Sequence, residues 1–449
     1  MTGSAKQSSV GICDRKQELG CFVASLLAMT VVSMSLPSDI DVAIIGAGAA
    51  GLAAARTLQQ AGIAVLVLEG RHRLGGRSHT IHYAGDNVLF DLGCEWLHSA
   101  DRNSFVPIAR ELGFAIDESR PKWREQSLDL GFPRSEHDAY LQAMDAFEAR
   151  LEAASDRPED SAASQWLEPG NRWNPRIDSI STYVNGCELN AVSVYDVDAY
   201  EDTGVNWRVR RGYGALIAAY GAPCPVALGT RVTRIDHSGA DVRIETSRGA
   251  VRAQKVIVTV PTDLIANESI RFHPALPAKV AAAAGLPLGL ADKVMLALDD
   301  PEAVPVDGHF YGAFDRVGTG SYHLRPMGQN CIEGFFGGSF ARDLGDQSED
   351  ALAAQAIDEL VALLGADFRR KVRVLGASRW AHDEFAQGSY SHALPGHADD
   401  RAALATPIDD RLFFAGEATS PNFFSTAHGA QESGVRAAGE VLAGLTTPA

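Results

Sequence analysis

Three glycines and one acidic residue stand near the start of the chain at a spacing that suits phosphate and ribose groups. Gly46, Gly48 and Gly51 follow the pattern G-x-G-x-x-G with Ala50 inside it, and Glu69 comes about 20 residues after the first glycine. Glycines permit a tight turn, close approach of the backbone to a pyrophosphate and close helix–strand packing, and a carboxylate accepts hydrogen bonds from ribose hydroxyls. The pattern therefore predicts a dinucleotide site, and the acid disfavours the 2′-phosphate of NADP.

A second group of glycine and arginine residues follows directly after this acid. It consists of Arg71, Gly75, Gly76 and Arg77. Here the backbone can approach a second part of the dinucleotide, and a guanidinium can make two parallel hydrogen bonds to a phosphate. A surface arginine after a glycine turn is the alternative interpretation of the same residues.

Lys293 is a charged residue in an otherwise apolar run that favours a strand. Its ammonium group could therefore point into the protein, where burial would lower its pKa and allow it to exchange a proton. A lysine that faces solvent from an amphipathic strand is the alternative.

Two buried strands and one helix are predicted to position the first glycines. Residues 41–45 and 64–68 are rich in β-branched residues and leucine, which is typical of buried parallel strands. Residues 52–61 between them favour a helix that ends at Gly62. Strand, glycines, helix, strand and acid in this order predict a βαβ unit whose helix N-terminus faces the phosphates.

The rest of the chain mixes both kinds of element, and we predict an α/β (α+β) fold. Further strands are predicted over residues 228–235, 241–246, 255–260, 293–298, 332–336 and 411–415. Helices are predicted over residues 105–112, 137–153 and 351–364, and from about residue 426 onward.

Composition restricts the class of protein. Among 449 residues, 46% are hydrophobic and 22% are charged, which is typical of a soluble globular protein of two or three domains and excludes disordered, collagen-like and multi-span membrane proteins. A net charge of −17 disfavours nucleic acid as a partner. The same charge would favour a cationic ligand, with acidity that serves only solubility as the alternative. Six scattered cysteines without a CxxC pair disfavour a zinc site and a disulfide framework, so we predict no bound metal.

Residues 1–38 form an extension ahead of the predicted fold. An apolar run at residues 21–32 is too short to cross a bilayer but has the length of a signal-peptide core. Acidic residues before this run and the lack of an A-x-A site argue against export. A start codon assigned too early and a genuine structural element are the further interpretations. We expect a cytoplasmic protein without a transmembrane segment, or a periplasmic one if residues 1–35 act as a signal peptide.

Beyond these patterns, the sequence resembles the flavin-containing amine oxidase family over about residues 41–442. The motifs that carry the resemblance are GAGAAGLAAARTL at 46–58, LEGRHRLGGR at 68–77, DLGCEWLH at 91–98, LGTRVTRI at 228–235, LADKVML at 290–296, Trp380 with GSY at 388–390, and FFAGEAT with STAHGAQESG between 413 and 434. The last block is most similar to spermine and acetylpolyamine oxidases. The resemblance implies FAD as the cofactor.

The same resemblance implies how residues at matching positions would hold FAD. Glu69 would bind the adenosine ribose, Arg77 the phosphates and the backbone of Val232 the adenine. Glu417 would contact the ribityl or pyrophosphate region, and Ala427 would lie at the pyrimidine edge of the flavin, where helix N–H groups stabilise negative charge. The other residues expected to contact the cofactor are Gly46, Gly48, Ala50, Gly51, Arg71, Gly75, Gly76, Gly93, Glu95, Trp96, Trp380, Gly416 and Thr426.

The resemblance assigns the chemistry to three residues. Lys293 matches a lysine that is bridged by water to flavin N5 and assists flavin reoxidation. His98 matches a histidine beside the substrate amine, with a satisfied core histidine as the alternative. Tyr390 matches one wall of an aromatic cage that orients the amine.

Two departures from the monoamine oxidases narrow the resemblance. Ser389 stands where those enzymes have the cysteine that attaches the flavin, so FAD is expected to be noncovalent. Thr426 stands in place of the second tyrosine of the cage, which favours polyamine oxidases. The chain also lacks room for the long insertion of the histone demethylases, which disfavours a role in chromatin.

The implied reaction is hydride transfer from the carbon next to an amine to flavin N5, hydrolysis of the imine, and reoxidation by O2 to give H2O2. The expected small-molecule partners are O2 and an amine, most similar to a polyamine. The protein is expected to be a monomer or a homodimer. Acids at Asp196, Asp198, Glu201 and Asp202 could attract a polycation. The alternatives are an L-amino-acid oxidase, with Arg102 or Arg325 as candidates for binding a carboxylate, another flavin oxidoreductase, or a flavin-binding sensor with little turnover.

The resemblance also implies two domains built from alternating segments. A Rossmann-like FAD-binding domain is predicted from residues 39–100, 221–265 and 376–449. An interleaved mixed α/β substrate-binding domain is predicted from residues 101–220 and 266–375.

Overall fold

The first strands and helix build the predicted βαβ unit. The computed structural model describes residues 36–130 and 134–446, and residues 1–35 of the predicted extension lie outside them. Asp39–Ile45 pairs in parallel with Val65–Leu68, and the helix Ala49–Gln60 connects them. Val42, Ile44 and the alanines of the helix are fully buried, because a strand in a parallel sheet is covered on both faces.

The unit lies within an eight-stranded sheet, here called the large sheet. Its strands follow one another across the sheet in the order Arg271–His273, Val232–Asp236, Val242–Thr246, Gly249–Val258, Asp39–Ile45, Val65–Leu68 and Val226–Ala227, and Leu412–Phe414 also pairs with Gly249–Val258. Strands from three distant parts of the chain therefore meet in one sheet. The pairs that involve Asp39–Ile45, Val65–Leu68 and Leu412–Phe414 are parallel.

The second sheet, here called the five-stranded sheet, is antiparallel. Its order is Gly308–Tyr311, Ser321–Leu324, Cys331–Gly337, Ala291–Leu298 and Val372–Ala377. One face packs on the helix Ala351–Leu364 through a core that includes Leu296, Ile332 and Phe336. The other face carries polar and aromatic side chains that the next subsection describes.

Helices and two smaller sheets complete the described part of the chain. Thr80–Tyr83 pairs with Val88–Asp91, and Trp207–Val209 lies between Trp96–Leu97 and Ile116–Asp117. The remaining α-helices are Phe105–Glu111, His137–Ser155, Asn174–Val184, Val194–Ala199, Tyr213–Gly221, Thr262–Ala266, Pro277–Gly285, Gly338–Gln347, Asp400–Ala405 and Ala427–Thr446. No helix in the described residues is both long enough and apolar enough to cross a membrane.

The observed elements match the predicted ones except at some boundaries. The strand predicted from residue 228 begins at Val232, because Gly229 adopts a φ of +62° that ends the extended conformation. The strand predicted from residue 255 already begins at Gly249. Arg271–His273 pairs with Val232–Asp236, so this part of the segment predicted for the substrate-binding domain joins the large sheet, and the division into domains otherwise stays a prediction.

Candidate active site

A cavity of about 650 Å³ opens at the carboxyl ends of the parallel strands. Its wall includes Gly46, Glu69, Val260 and Gly416, each of which lies shortly after the end of a strand of the large sheet. Ligands of doubly wound α/β sheets bind at this edge, because loops and helix N-termini converge there. The large sheet therefore places one end of the cavity where a dinucleotide binds.

The glycine turn at residues 46–51 shapes that end of the cavity. Gly46 adopts a φ of +104°, which favours glycine, and the helix begins directly after Gly48. A Cβ atom on Gly51 would lie 2.0 Å from the carbonyl oxygen of Gly46, so this glycine permits close helix–strand packing. A Cβ on Gly48 would meet no atom within 4 Å, because this position faces the open cavity.

Glu69 lines the cavity beside the glycine turn and is nearly fully buried. Its two carboxylate oxygens accept hydrogen bonds from the backbone N–H groups of Ala47, at 2.7 Å, and Arg71, at 2.8 Å. The Arg71 guanidinium forms an ion pair with Asp383 and lies over the ring of Phe385. Both side chains are thus fixed beside the glycine turn.

Arg77 and Glu417 meet in the middle of the cavity wall. The Arg77 guanidinium lies 3.0 Å from the Glu417 carboxylate and also donates to the carbonyl oxygen of Ser389. Burial raises the pKa of Glu417, but Arg77 and hydrogen bonds from Ser391 and Ser425 more than offset this, so its pKa is lowered and the carboxylate is charged.

A second helix N-terminus faces the cavity at Ala427. The Thr426 hydroxyl accepts a hydrogen bond from the N–H group of Gly429, which caps the helix Ala427–Thr446. Gly434 allows this helix to approach the first one closely, since a Cβ there would lie 2.1 Å from the carbonyl oxygen of Ala50. Two helix N-termini, each carrying partial positive charge, therefore border one cavity.

The five-stranded sheet supplies the opposite wall through one of its faces. In the pairing register Lys293 stands opposite Phe335, Glu333 opposite His323, and Ser321 opposite both Phe335 and Tyr311. Because side chains alternate along a strand, these residues point to the same side of the sheet. We call this side the inner face; its members on the cavity wall are Lys293, His309, Tyr311, Ser321, His323 and Phe335.

Lys293 forms two ion pairs on the inner face. Its ammonium lies 2.8 Å from a carboxylate oxygen of Glu333 and 3.0 Å from one of Glu95, and it donates to the carbonyl oxygen of Asp91. It also lies 4.6 Å from the ring centre of Phe335. The inward orientation predicted for Lys293 is therefore present, and the solvent-facing alternative is wrong.

The expectation that burial would lower the pKa of Lys293 is also wrong. Desolvation lowers this pKa, but attraction to the carboxylates of Glu333 and Glu95 raises it by more, and the net pKa lies above its ordinary value. The resting ammonium therefore stays charged, and the sequence could not show this because both partners lie far from it in the chain.

The two carboxyl groups beside Lys293 differ in charge. Desolvation raises the pKa of Glu95, but Lys293, His323 and Arg208 lower it by more, so Glu95 is ionised. Desolvation and the charge on Glu95 raise the pKa of Glu333 to about 8. Glu95, Glu333 and His323 have the side-chain types of a metal site, but the Lys293 ammonium contacts both carboxylates and supplies the positive charge there.

His98 lines the cavity in a defined tautomer. Its Nδ1 lies 2.8 Å from the side-chain oxygen of Asn206, which can only accept, so Nδ1 carries the proton and Nε2 is an acceptor. Burial lowers the pKa of the ring, which keeps it neutral. A neutral acceptor is what the predicted contact with a substrate amine requires.

Aromatic rings line the part of the cavity near Tyr390. The Tyr390 hydroxyl donates to the carbonyl oxygen of Tyr183, and the rings of Tyr183 and Tyr311 stack with centres 6.5 Å apart. Trp96 packs edge-on against Trp123 at 4.5 Å. These rings present apolar and weakly electronegative faces to the cavity.

The acidic segment proposed as a polycation attractor is only partly available. Asp196 borders the cavity but is buried in a two-point ion pair with Arg401, at 2.6 and 2.8 Å, so its charge is already neutralised. Glu201 pairs with Arg102. Asp202 is exposed and lines the cavity.

All predicted site residues except Gly51 border the cavity. The predicted residues on its wall are Gly46, Gly48, Ala50, Glu69, Arg71, Gly75, Gly76, Arg77, Gly93, Glu95, Trp96, His98, Val232, Lys293, Trp380, Tyr390, Gly416, Glu417, Thr426 and Ala427. Sequence reasoning missed Glu333 and His323. Glu333 carries the same signal as Lys293, a charged residue inside a predicted strand.

Comparison with known proteins identifies the family. A model described as flavin containing amine oxidoreductase matches residues 49–442. The chain belongs to this family. The predicted family and the predicted FAD cofactor are thereby confirmed, because members of this family are flavoproteins that act on CH–NH groups.

Relatives and solved structures agree with this membership. The chain is 30% identical over 452 residues to Lysine-specific histone demethylase 1 homolog 2 of Oryza sativa subsp. japonica, covering 90% of this chain and 57% of that protein. It is 29% identical over 447 residues to Polyamine oxidase 2 of Arabidopsis thaliana, covering 89% and 87%. The structure of wild-type putrescine oxidase bound to putrescine matches with a TM-score of 0.75 and 20% identity, covering 90% of this chain and 99% of that one. This likeness confirms the predicted mixed α/β fold.

The residues present fit a bound FAD. The open position at Gly48 and the two helix N-termini suit a pyrophosphate, and the buried carboxylate of Glu69 suits a ribose. Trp380, held by a hydrogen bond from its indole N–H to the carbonyl oxygen of Leu92, borders the same cavity between the large sheet and the inner face. Ser389 has no thiol for a thioether bond, so FAD would be held by noncovalent contacts alone.

Proposed function

We propose that this protein is an FAD-dependent oxidase of a small polyamine or diamine, with O2 as electron acceptor. The observation that carries the proposal is a cavity that combines aromatic rings with exposed carboxylates of Glu148 and Asp202 at its opening. Rings accommodate an alkyl chain and attract ammonium groups, and carboxylates attract the distal ammonium of a polycation. The net charge of −17 acts in the same direction.

The chain's own residues orient and deprotonate the amine. FAD, when bound, accepts a hydride at N5 from the carbon next to the amine nitrogen. His98 Nε2 accepts a hydrogen bond from the reacting nitrogen, and Tyr390 offers its ring as one wall beside the amine. Lys293 supplies positive charge at the cavity wall, and imine hydrolysis then gives an aldehyde and an amine.

An L-amino-acid oxidase is the second candidate. A substrate carboxylate needs an arginine on the cavity wall, and the two residues named from the sequence, Arg102 and Arg325, pair with Glu201 and Glu302 and are absent from that wall. Arg124 lies on the wall instead, in an ion pair with Asp145. Arg124 is the observation that favours the second candidate, because the wall arginines Arg71 and Arg77 lie beside the predicted dinucleotide site.

Anaerobic reduction of the flavin tests the proposal directly. Purified protein is mixed without oxygen with spermine, putrescine, an L-amino acid, benzylamine or a methyl-lysine peptide, and then with air. We expect polyamines or diamines to bleach the flavin band near about 450 nm, with recovery in air as H2O2 forms. Bleaching by amino acids or by the peptide alone would refute the proposed substrate class.

Two matched variants test whether Glu148 binds the distal ammonium group of the substrate. Glu148→Gln removes a carboxylate at the opening, and we expect about a two- to fivefold rise in KM for spermine with little change for benzylamine, since exposed ion pairs are weak. Glu152→Gln on the same helix is the control, because Glu152 is exposed but is absent from the cavity wall. Equal effects of both variants would contradict a specific role for Glu148.

A further inference from the structure

The inner face carries two buried groups that the proposed reaction has not used. Glu333 lies directly behind Lys293, with its side chain 2% exposed, and His323 stands opposite Glu333 in the strand register. Neither residue was expected from the sequence. Their positions are unusual because a buried carboxyl group lies next to an imidazole on the cavity wall.

These groups lie one after another between the cavity and the surface. Lys293 Nζ lies 2.8 Å from Glu333 Oε1, and Glu333 Oε2 lies 3.9 Å from His323 Nδ1. On the other side of the ring, His323 Nε2 lies 3.9 Å from Asp307 Oδ1. The Asp307 side chain is 32% exposed, whereas those of Lys293 and His323 are 5% and 11% exposed, so only the Asp307 end reaches solvent freely.

Arg208 fixes the resting proton on the ring of His323. Its guanidinium Nη1 lies 3.4 Å from His323 Nε2 and can only donate, so Nε2 accepts and Nδ1 carries the hydrogen towards Glu333. Arg208 is itself held by Asp117, at 2.9 Å, and by Asp307, at 3.0 Å. A neutral imidazole with a proton on one nitrogen and a lone pair on the other can pass a proton from one side to the other.

We propose that Lys293, Glu333 and His323 form a proton relay between the inner end of the cavity and solvent at Asp307. The inference rests on the proposed oxidase function and names the residues that move its protons. Glu333 and His323 act in it through Lys293, as positioning and proton-carrying residues.

The reaction requires one proton to leave and one to return in each turnover. An ammonium substrate becomes reactive only as RCH2NH2, so one H+ leaves before the C–H bond breaks. Reduction of O2 to H2O2 takes two electrons and two protons; both electrons and one proton derive from the transferred hydride, and the second proton comes from solvent. These two transfers balance, and they match a relay that works in both directions.

The ring of His323 returns to its starting tautomer after both transfers. In the tautomer that Arg208 fixes, the ring can pass a proton only inward, as reoxidation requires: Nε2 binds a proton while the Nδ1 proton passes to Glu333. Nδ1 is then free, so the proton of the next amine moves outward from Glu333 to Nδ1 while Nε2 releases its proton towards Asp307. Burial lowers the pKa of His323, which keeps the ring neutral between transfers. The raised pKa of Glu333 suits a group that gains and loses a proton near neutral pH.

Reoxidation without any amine tests the relay. The holoenzyme is reduced with dithionite and mixed with air-saturated buffer made in H2O or D2O, and the return of the flavin absorbance is followed. We expect Glu333→Gln and His323→Ala to slow this step by at least about tenfold with an increased solvent isotope effect. Imidazole should restore most of the rate in His323→Ala, because it can occupy the space of the removed ring and carry a proton.

Glu359→Gln is the matched control. Glu359 is also a buried carboxyl group against the same sheet, but it packs on the opposite face, where it accepts from the Tyr322 hydroxyl and the Gly320 N–H. We expect this variant to reoxidise at the parent rate and to show no rescue by imidazole. Bound flavin, measured by its absorbance, confirms that each variant has folded.

Reoxidation of Glu333→Gln and His323→Ala at the parent rate would overturn the relay. If the parent protein itself reacts too slowly with air, ferricenium replaces O2, and the proton released on flavin oxidation is followed with an indicator dye in the same variants. Because dithionite replaces the amine, failure of every amine to bleach the flavin would refute the proposed substrate without affecting this test.

Discussion

The glycine turn at the end of the large sheet and the inner face of the five-stranded sheet line one cavity but are built in different ways. The turn offers backbone groups from a continuous stretch of chain, residues 46–51, together with the nearby acid Glu69. The inner face offers the titratable side chains of Lys293, His323 and Glu333, and each comes from a different strand. One region is therefore governed by steric fit to a cofactor, and the other by the pairing of buried charges.

The largest expected effect is on the free energy of unfolding, when one buried lysine of each sheet is replaced by methionine. Lys293→Met leaves the carboxylates of Glu95 and Glu333 buried without their cation, which costs about 3–5 kcal/mol of unfolding free energy. Lys255→Met in the large sheet should cost only about 1 kcal/mol, because its partner Asp410 is 60% exposed and stays hydrated. Denaturant unfolding of both variants measures the difference, and equal losses would contradict it.

The same Lys293 variant separates binding from turnover. We expect Lys293→Met to retain FAD, because Lys293 is absent from the glycine turn, but to oxidise amines and to reoxidise substantially more slowly. Undiminished oxidase activity would remove Lys293 from the catalytic residues.

Two glycine substitutions test whether the glycine turn is governed by steric fit, to the protein at Gly51 and to the cofactor at Gly48. Gly51→Ala forces a Cβ to within 2.0 Å of the Gly46 carbonyl oxygen and should cost about 1–3 kcal/mol even in the apoprotein. Gly48→Ala meets no atom within 4 Å, so the apoprotein should keep its stability while FAD affinity falls by at least about tenfold. Thermal unfolding and flavin titration distinguish the two; equal FAD affinity in Gly48→Ala and the parent would contradict the assigned role.

The pH dependence of the unfolding free energy tests whether Glu333 on the inner face holds a proton in the folded protein. The folded-state pKa of Glu333 is raised to about 8, so the folded protein holds this proton more tightly than the unfolded chain. Stability from this group is therefore full below the ordinary carboxyl pKa and is lost as the pH rises towards 8. Glu333→Gln should reduce the fall in unfolding free energy between pH 5 and pH 8, and an unchanged slope would show that Glu333 does not hold the proton.

The smallest effect is expected at Tyr390. Tyr390→Phe removes the hydrogen bond to the Tyr183 carbonyl oxygen but keeps the ring, so we expect a loss of about 0.5–1.5 kcal/mol in stability and little change in KM for the amine. Tyr390→Leu should raise KM by more, because it also removes the aromatic wall. Equal KM values for both variants would contradict the role of the ring.

The two regions also differed in how well the sequence predicted them. The prediction of the βαβ unit and its glycines was correct, because each of these features depends on neighbouring residues and on a fixed spacing. Lys293 was placed correctly on a strand, but its pKa was predicted in the wrong direction. Its two carboxylate partners are 198 and 40 residues away in the chain, and nothing local to Lys293 shows them.

The acids at residues 196–202 show the same limit. Asp196 resembles any other acid in a polar segment, yet the fold buries it against Arg401 on a different helix. Glu333 could have been noticed as a charge inside a predicted strand, but its function depends on His323, which only strand pairing places opposite it.

By itself, the sequence determined the strand–glycine–helix–strand unit, the mixed α/β fold and, through its motifs, the flavin cofactor, because these follow from local periodicity and from backbone positions that only glycine suits. Only the tertiary structure decided which charges meet behind Lys293 and which acids remain available at the cavity opening. The register between distant strands sets those distances, and electrostatic interactions between buried groups depend on distance and solvent exposure rather than on separation along the chain.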